Sequence, residues 1–130
     1  MRDEQVQRYA RHIQLPDIGP LGQTAILVAT AHLALREPDP AAELIAGNYL
    51  AAGGVGVLVA TGASEAQRAQ LVAHGPDTRV VVELPEGVRV RAVELAARPT
   101  WWPATVGDDQ ALAFWRGGYA AARWLADAAK

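Results

Sequence analysis

The sequence predicts an α/β fold: a small, mostly parallel sheet flanked by helices, preceded by an N-terminal helical arm. Three observations predict it. Apolar runs of strand length recur within residues 25–35, 57–60 and 80–82, segments with helical spacing separate them, and glycine- or proline-bearing turns mark the junctions. That alternation is the pattern of parallel strands joined by crossover helices. With 130 residues, 51% hydrophobic and 20% charged, the chain has the length and composition for one globular core.

Each element follows from local chemistry. Asp3 is placed to cap a short helix from about Glu4 to His12, with Val6, Tyr9 and Ile13 at helical spacing and Arg8 and Arg11 one turn apart on a neighbouring face. Pro16 and Gly19 end it. From Thr24 to Leu35 the chain is almost unbroken apolar, and two registers fit. The first strand lies either at Ala25 to Thr30, or at Ala31 to Leu35 after a connector. Asp39 and Pro40 read as the cap and first-turn proline of a helix carrying Leu44, Ile45, Tyr49 and Leu50, which Gly53-Gly54 stops after Ala52.

Val57 to Ala60 reads as the second strand, and Ser64 caps a helix to His74 with Leu71 and Val72 facing inward. Gly75-Pro76-Asp77 turns into a third strand with Val80, Val81 and Val82, which suit a buried parallel strand. Residues 88–93 alternate apolar and basic like an edge or half-exposed strand, so Arg89 and Arg91 mark a wet face more readily than a nucleic-acid surface. Trp101-Trp102-Pro103 reads as a plug over a sheet end, the alternative being an exposed binding patch. Asp108 caps a final helix to about Ala129, with Leu112, Trp115, Tyr119 and Ala122 on one face. Gly117 and Gly118 inside that helix cost about 1 kcal/mol each against alanine, so close packing or a kink is expected there.

Composition removes whole classes of function. The absence of cysteine excludes disulfides, thiol catalysis, a thioester on this chain and Cys-ligated zinc, and His12, His32 and His74 are too scattered for a metal motif. A net charge of -2 gives no footprint for nucleic acid. The lone lysine is Lys130, so no interior lysine reaches a phosphate, and the lone serine, Ser64, lies in no nucleophile elbow. No apolar run reaches the roughly 18 residues a membrane helix needs, and no signal-peptide pattern opens the chain. A cytoplasmic location and no membrane partner are the expectation.

Residues 8–23 carry the order Arg-Tyr-x-Arg-His-x-x-Leu-Pro-x-Ile-Gly-x-x-Gly-Gln, which fixes ten positions in sixteen. This resembles the opening signature of the ThiF/MoeB/HesA family, relatives of the ubiquitin-activating E1 enzymes, which use ATP to adenylate the C-terminus of a small carrier protein. Two further segments resemble the same family: Tyr49-Leu50-Ala51-Ala52-Gly53-Gly54-Val55-Gly56, between its first helix and second strand, and Gly75-Pro76-Asp77-Thr78-Arg79-Val80, entering its third strand. The resemblance implies an arm over residues 1–23 and a reduced Rossmann-like domain over 24–130, and its spacing favours the second register for the first strand.

The resemblance stops where the nucleotide would sit. In place of the family's Gly-x-Gly-Gly-x-Gly turn stand Arg36-Glu37-Pro38-Asp39-Pro40, in which prolines remove backbone donors and two carboxylates meet the phosphate position. At the end of the second strand Thr61 replaces the ribose-holding aspartate, and Ser64 begins a helix at once where an Asn-Leu-x-Arg-Gln element belongs. ATP and magnesium go with the family; none is expected to bind this chain in cis. The expectation is therefore a degenerate member acting through protein contacts, as a homodimer or with a complete E1-like enzyme, and with a ubiquitin-like sulfur carrier as a further partner.

Arg8 and Arg11 are the family-matched arm residues, the second of which reaches, in the family, across a dimer towards the partner's ATP. Tyr9, Trp101 and Trp102 are candidate interface residues. Residual adenylation is the first alternative. The other is a repurposed small-molecule site at the strand ends lined by His32, Arg36 and Glu37, which rests on fold analogy.

Overall fold

A computed structural model describes residues 1–35, 40–102 and 109–130. In chain order the elements are α1 (Asp3–Arg8), α2 (Ala10–Gln14), α3 (Gly19–Val28), β1 (Thr30–Ala34), α4 (Ala41–Ala52), β2 (Val57–Thr61), α5 (Glu65–His74), β3 (Arg79–Val81), β4 (Arg91–Ala92) and α6 (Asp109–Ala128). The strands form one all-parallel sheet in the order β3-β2-β1-β4. The expected small, Rossmann-like parallel sheet flanked by helices is what the chain builds. Sheet order reverses direction beside β1, because β4 joins the sheet on the side away from β2.

One face of the sheet carries the core. Ala31 and Leu33 pair with Leu58 and Ala60, and with Val80 they are all buried. Alternation along each strand puts these side chains on one side. α4 closes onto that side because Gly47 has no side chain: a Cβ there would lie 2.6 Å from Leu71 Cδ2 and 3.1 Å from Leu33 Cδ2. Leu33, Leu50, Leu58 and Leu71 lie fully buried in this layer, each worth about 1.5–3 kcal/mol of transfer free energy.

β1 begins within one residue of the second sequence register, and the residues before it form α3. The N-terminal helix departs from expectation. It breaks at Tyr9 (φ -104°, ψ 21°), which turns inward, and Asp3 lies in the first turn while the Gln5 side chain accepts from the Arg2 backbone N–H at 3.0 Å. Gly19 does not terminate a helix; with φ +65° and Pro20 next to it, it opens α3. Ser64 caps α5 as read, its Oγ accepting from Gln67 N at 3.1 Å. Leu71 is buried but Val72 is exposed, since consecutive helical residues diverge by about 100°. The alternating stretch supplies only the two residues of β4, and Val82 lies exposed beyond β3. The caps assigned to Asp39 and Asp108 lie outside the described residues.

α6 is one continuous helix, and of its two glycines Gly117 serves close packing. A Cβ on Gly117 would run into Ala42 O and the Ile45 side chain on α4. That contact rotates the helix from the predicted face: Gly117, Ala120, Ala121, Trp124 and Leu125 are buried, whereas Tyr119 and Ala122 are exposed. Trp124 Nε1 donates to Arg91 O at 2.9 Å, fastening β4 to the helix. Among the described residues no helix is long and apolar enough to cross a membrane.

Candidate functional site

The three segments that resemble the activating-enzyme family converge in space. Two are the turns that lead into β2 and β3, at the N-terminal ends of the strands, and the arm packs against both. The centre of this assembly is Asp77. Its side chain, 8% exposed, accepts from Arg2 Nη2 at 3.0 Å, Gln5 Nε2 at 3.2 Å, Tyr9 Oη at 2.6 Å and Arg8 Nη1. Burial pushes the Asp77 carboxyl up, but the hydrogen bonds from Tyr9, Gln5 and Arg8, with the charge of Arg8, outweigh it and hold the group below its ordinary range. Burial first, and the neighbouring carboxylate second, push the Tyr9 hydroxyl up to about 12, so it is a neutral donor. The Arg8 guanidinium is held above its ordinary range chiefly by its hydrogen bond to Asp77.

The rest of the signature is bonded inward too. His12 Nδ1 lies 2.8 Å from Gln23 Oε1, and Gln23 Nε2 donates to Gly53 O at 3.0 Å. Because the amide nitrogen of Gln23 is committed to Gly53, its oxygen faces His12, and Nδ1 is the donor. Gln23 is completely buried with both polar atoms satisfied. Gly22 lets α3 meet the end of α6, where a Cβ would come within 2.9 Å of Ala129 Cβ. Gly54, at φ +88°, leaves room for the Tyr9 ring, whose Cζ would lie 2.6 Å from a Cβ. Thr78 Oγ1 donates to Val55 O at 2.6 Å, tying the two turns together.

Arg11 is different. It is exposed and makes no hydrogen bond or ion pair with any described residue, although Arg8, one turn earlier, is locked to Asp77. It lines a depression of about 340 Å³ with Arg8, Tyr9, His12 and Ala52. His12 and Ala52 also line a larger, mainly apolar groove of about 470 Å³ between the turn after α2, the end of α4 and the C-terminal half of α6. The groove wall includes Leu15, Ile18, Tyr49, Ala121 and Leu125. Its one carboxylate is Asp17, and Arg11 is not among its lining residues.

The opposite, C-terminal edge of the sheet holds the other predicted residues. His32 Nε2 lies 3.1 Å from Thr61 Oγ1, so these two side chains engage each other across β1 and β2. Leu35 N donates to Thr61 O at 2.8 Å, and a Cβ on Gly62 would come 2.7 Å from Leu35 O, which zips the two strand ends together. His32 lines none of the cavities described above, and Arg36 and Glu37 lie outside the described residues. The structure therefore does not bring His32, Arg36 and Glu37 into a describable pocket. No group of histidines and carboxylates suited to a metal occurs among the described residues.

The interface candidates divide. Tyr9 is 2% exposed and points into the latch, so it is no surface anchor. Trp101 is 67% exposed, stands edge-on to Trp115 and lies beside Trp102, forming a row of rings along α6 in place of the expected plug over a sheet end. Sequence reasoning missed Asp77 and Gln23. Gly-Pro-Asp reads as a turn, and nothing in a linear pattern says that a turn aspartate 68 residues from Tyr9 receives its hydroxyl. No protein-family model matches the chain, and a search of curated proteins gives no match.

Proposed function

We propose that this chain is a degenerate E1-like domain of the cytoplasm with no nucleotide site of its own, acting through protein contact by presenting Arg11 to a second protomer. The observation that carries this reading is the division within the signature. Arg8, Tyr9, His12 and Gln23 are each bonded internally, whereas Arg11 is exposed and unpaired among the described residues. An arginine with no hydrogen bond or ion pair among the described residues, mounted on a latched arm, is a cation available to an external anion. The arm lies at the N-terminal edge of the sheet, away from the chain's own strand ends where ligands of open α/β sheets bind, so Arg11 serves a site in trans.

The same reading gives the strand-end edge no part in catalysis. Charge on a transferring phosphoryl group needs backbone donors or cations aimed at it. Here the Thr61 hydroxyl is engaged by His32, and the sequence from Arg36 to Pro40 carries two prolines and two carboxylates.

The test is reconstitution with a complete E1-like enzyme. The chain is expected to alter that enzyme's carrier-dependent pyrophosphate exchange, and Arg11→Ala to abolish the effect while leaving the fold intact. Calorimetry is expected to show no ATP binding to the chain alone. ATP binding with pyrophosphate exchange by the isolated chain would instead establish residual adenylation.

A further inference from the structure

We propose that the apolar groove between the turn after α2, the end of α4 and α6 is a binding site for a small organic amine, a ligand with an ammonium head on an apolar body. At about 470 Å³ the groove has the size of a small-molecule pocket. Leu15, Ile18, Tyr49 and Leu125 supply its apolar surface, and Leu15 and Tyr49 are exposed, so the walls stay open to an occupant. The Tyr49 ring stands edge-on to Phe114, with centroids 6.0 Å apart, which fixes an aromatic wall of the kind that favours a cation. Arg11 is not among the lining residues, so the site does not depend on whether that side chain acts in trans.

Charge selects the head group. The lining holds one carboxylate, Asp17, exposed and with no ion pair among the described residues, and it holds no lysine or arginine. His12 lines the groove as well; its Nδ1 donates to Gln23, so Nε2 of the neutral ring is an acceptor. A carboxylate beside an acceptor imidazole favours a donor-rich cation and disfavours an anion. Gly118 is a second, independent observation. Glycine weakens a helix interior, and packing does not require one here, because a Cβ on Gly118 would meet only Tyr49 Cε2, at an ordinary 3.8 Å. Gly117 is forced by the approach of α4, whereas Gly118 keeps the groove wall clear opposite Tyr49.

The probe is phenylbutylamine, with phenylbutanol and phenylbutyrate as controls that keep the body and carry a neutral or an anionic head. Each is titrated into the full chain and followed by calorimetry and by amide NMR spectra. The amine is expected to bind with a Kd of about 0.1–1 mM and to shift the amide signals of Ile18, Gly53 and Gly118. The alcohol is expected to bind about fivefold more weakly, and the acid not to bind. Asp17→Asn, at an exposed position, is expected to weaken the amine about fivefold and leave the alcohol unchanged. Gly118→Leu, which fills the groove, is expected to abolish binding of both without lowering the melting temperature. Equal affinity for amine and alcohol, shifts confined to other parts of the chain, or an Asp17→Asn variant that binds the amine as the wild type does overturns the proposal. Binding that appears only above about 10 mM overturns it as well. Groove signals that move with the chain's own concentration and not with the amine make the occupant a second copy, and likewise overturn it.

Discussion

Replacing Asp77 with asparagine tests whether the signature is a latch. The carboxylate accepts through both oxygens, Oδ1 from Arg2 and Gln5 and Oδ2 from Tyr9 and Arg8. Asparagine keeps one oxygen. Its better orientation leaves that oxygen on the buried Tyr9 side and turns an amide donor towards Arg2 and Gln5. Losing the Gln5 bond costs about 1 kcal/mol, and converting the Tyr9 bond from charge-assisted to neutral costs about another 1 kcal/mol. Nothing is added for the two arginines, whose exposed positions make their pairing weak. The sum, about 2 kcal/mol, lowers the melting temperature of a domain this size by about 6–8 °C at pH 7.

Acidification gives the same experiment a second axis. Because the folded Asp77 carboxyl titrates below its ordinary value of 3.8, its contribution is fully present above that value and is lost as pH falls through the lower folded one. The gap between wild type and Asp77→Asn is therefore expected to narrow below about pH 4. Melting followed by circular dichroism at pH 7 and pH 3 measures both. A variant that melts within about 1 °C of wild type at pH 7, or a gap that persists unchanged into acid, refutes the latch.

Four further outcomes follow from the geometry. Arg11→Ala is expected to change unfolding free energy by less than about 0.5 kcal/mol in urea, because the exposed side chain has no hydrogen-bond or ion-pair partner among the described residues. Gly54→Ala is expected to cost about 2–3 kcal/mol, read as a lower urea midpoint, since the residue sits at φ +88° and a Cβ would enter the Tyr9 ring. Tyr9, pushed up to about 12, favours the folded state while neutral, so stability is expected to fall as pH rises from 10 towards 12 and Tyr9→Phe to flatten that decline. Arg68 Nε donates to Val80 O on β3, the outermost strand of the sheet; Arg68→Ala frees that carbonyl, and light scattering on heating is expected to show earlier aggregation.

The sheet was legible because its strands announce themselves by local composition. Val57 to Ala60 and the valines at 80–82 have one plausible state, and Ser64 with Gln67 three residues later is a cap that depends on nothing distant. The face of α6 was not legible, because it is set by how closely α4 approaches. Gly117 had to meet Ala42, so Gly117, Ala120 and Ala121 turned inward with Trp124, while Phe114 and Tyr119 turned outward, against their hydrophobicity. The break at Tyr9 was hidden for the same reason: helical propensity continues through it, and only the pull of Asp77 and the space over Gly54 explain the turn. Of the candidate site, the arm was visible in the sequence, but the division of labour between Arg8 and Arg11 was not, since the sequence pattern puts both on one short helix with the same charge, and the break that separates α1 from α2 is set by distant contacts.

That division bears on what a signature of this kind testifies to. A motif adjoining a nucleotide loop is easily read as part of the loop's chemistry, and its persistence as a sign of activity. Here the polar residues of the motif hold the arm to the turns before β2 and β3, at the sheet edge remote from the strand ends. Losing Tyr9 or Gln23 would leave buried polar groups or open space and would cost the fold directly. On the proposed reading, loss of the phosphate-binding glycines removes a ligand site and leaves this latch untouched. The two ends of the sheet are thus under separate physical constraints, and a chain that gives up one has no structural reason to give up the other. Arg11 is the exception, because it makes no hydrogen bond or ion pair with a described residue. On the proposed reading its role lies in another molecule, and reconstitution with a complete E1-like enzyme, wild type against Arg11→Ala, is the direct way to find it.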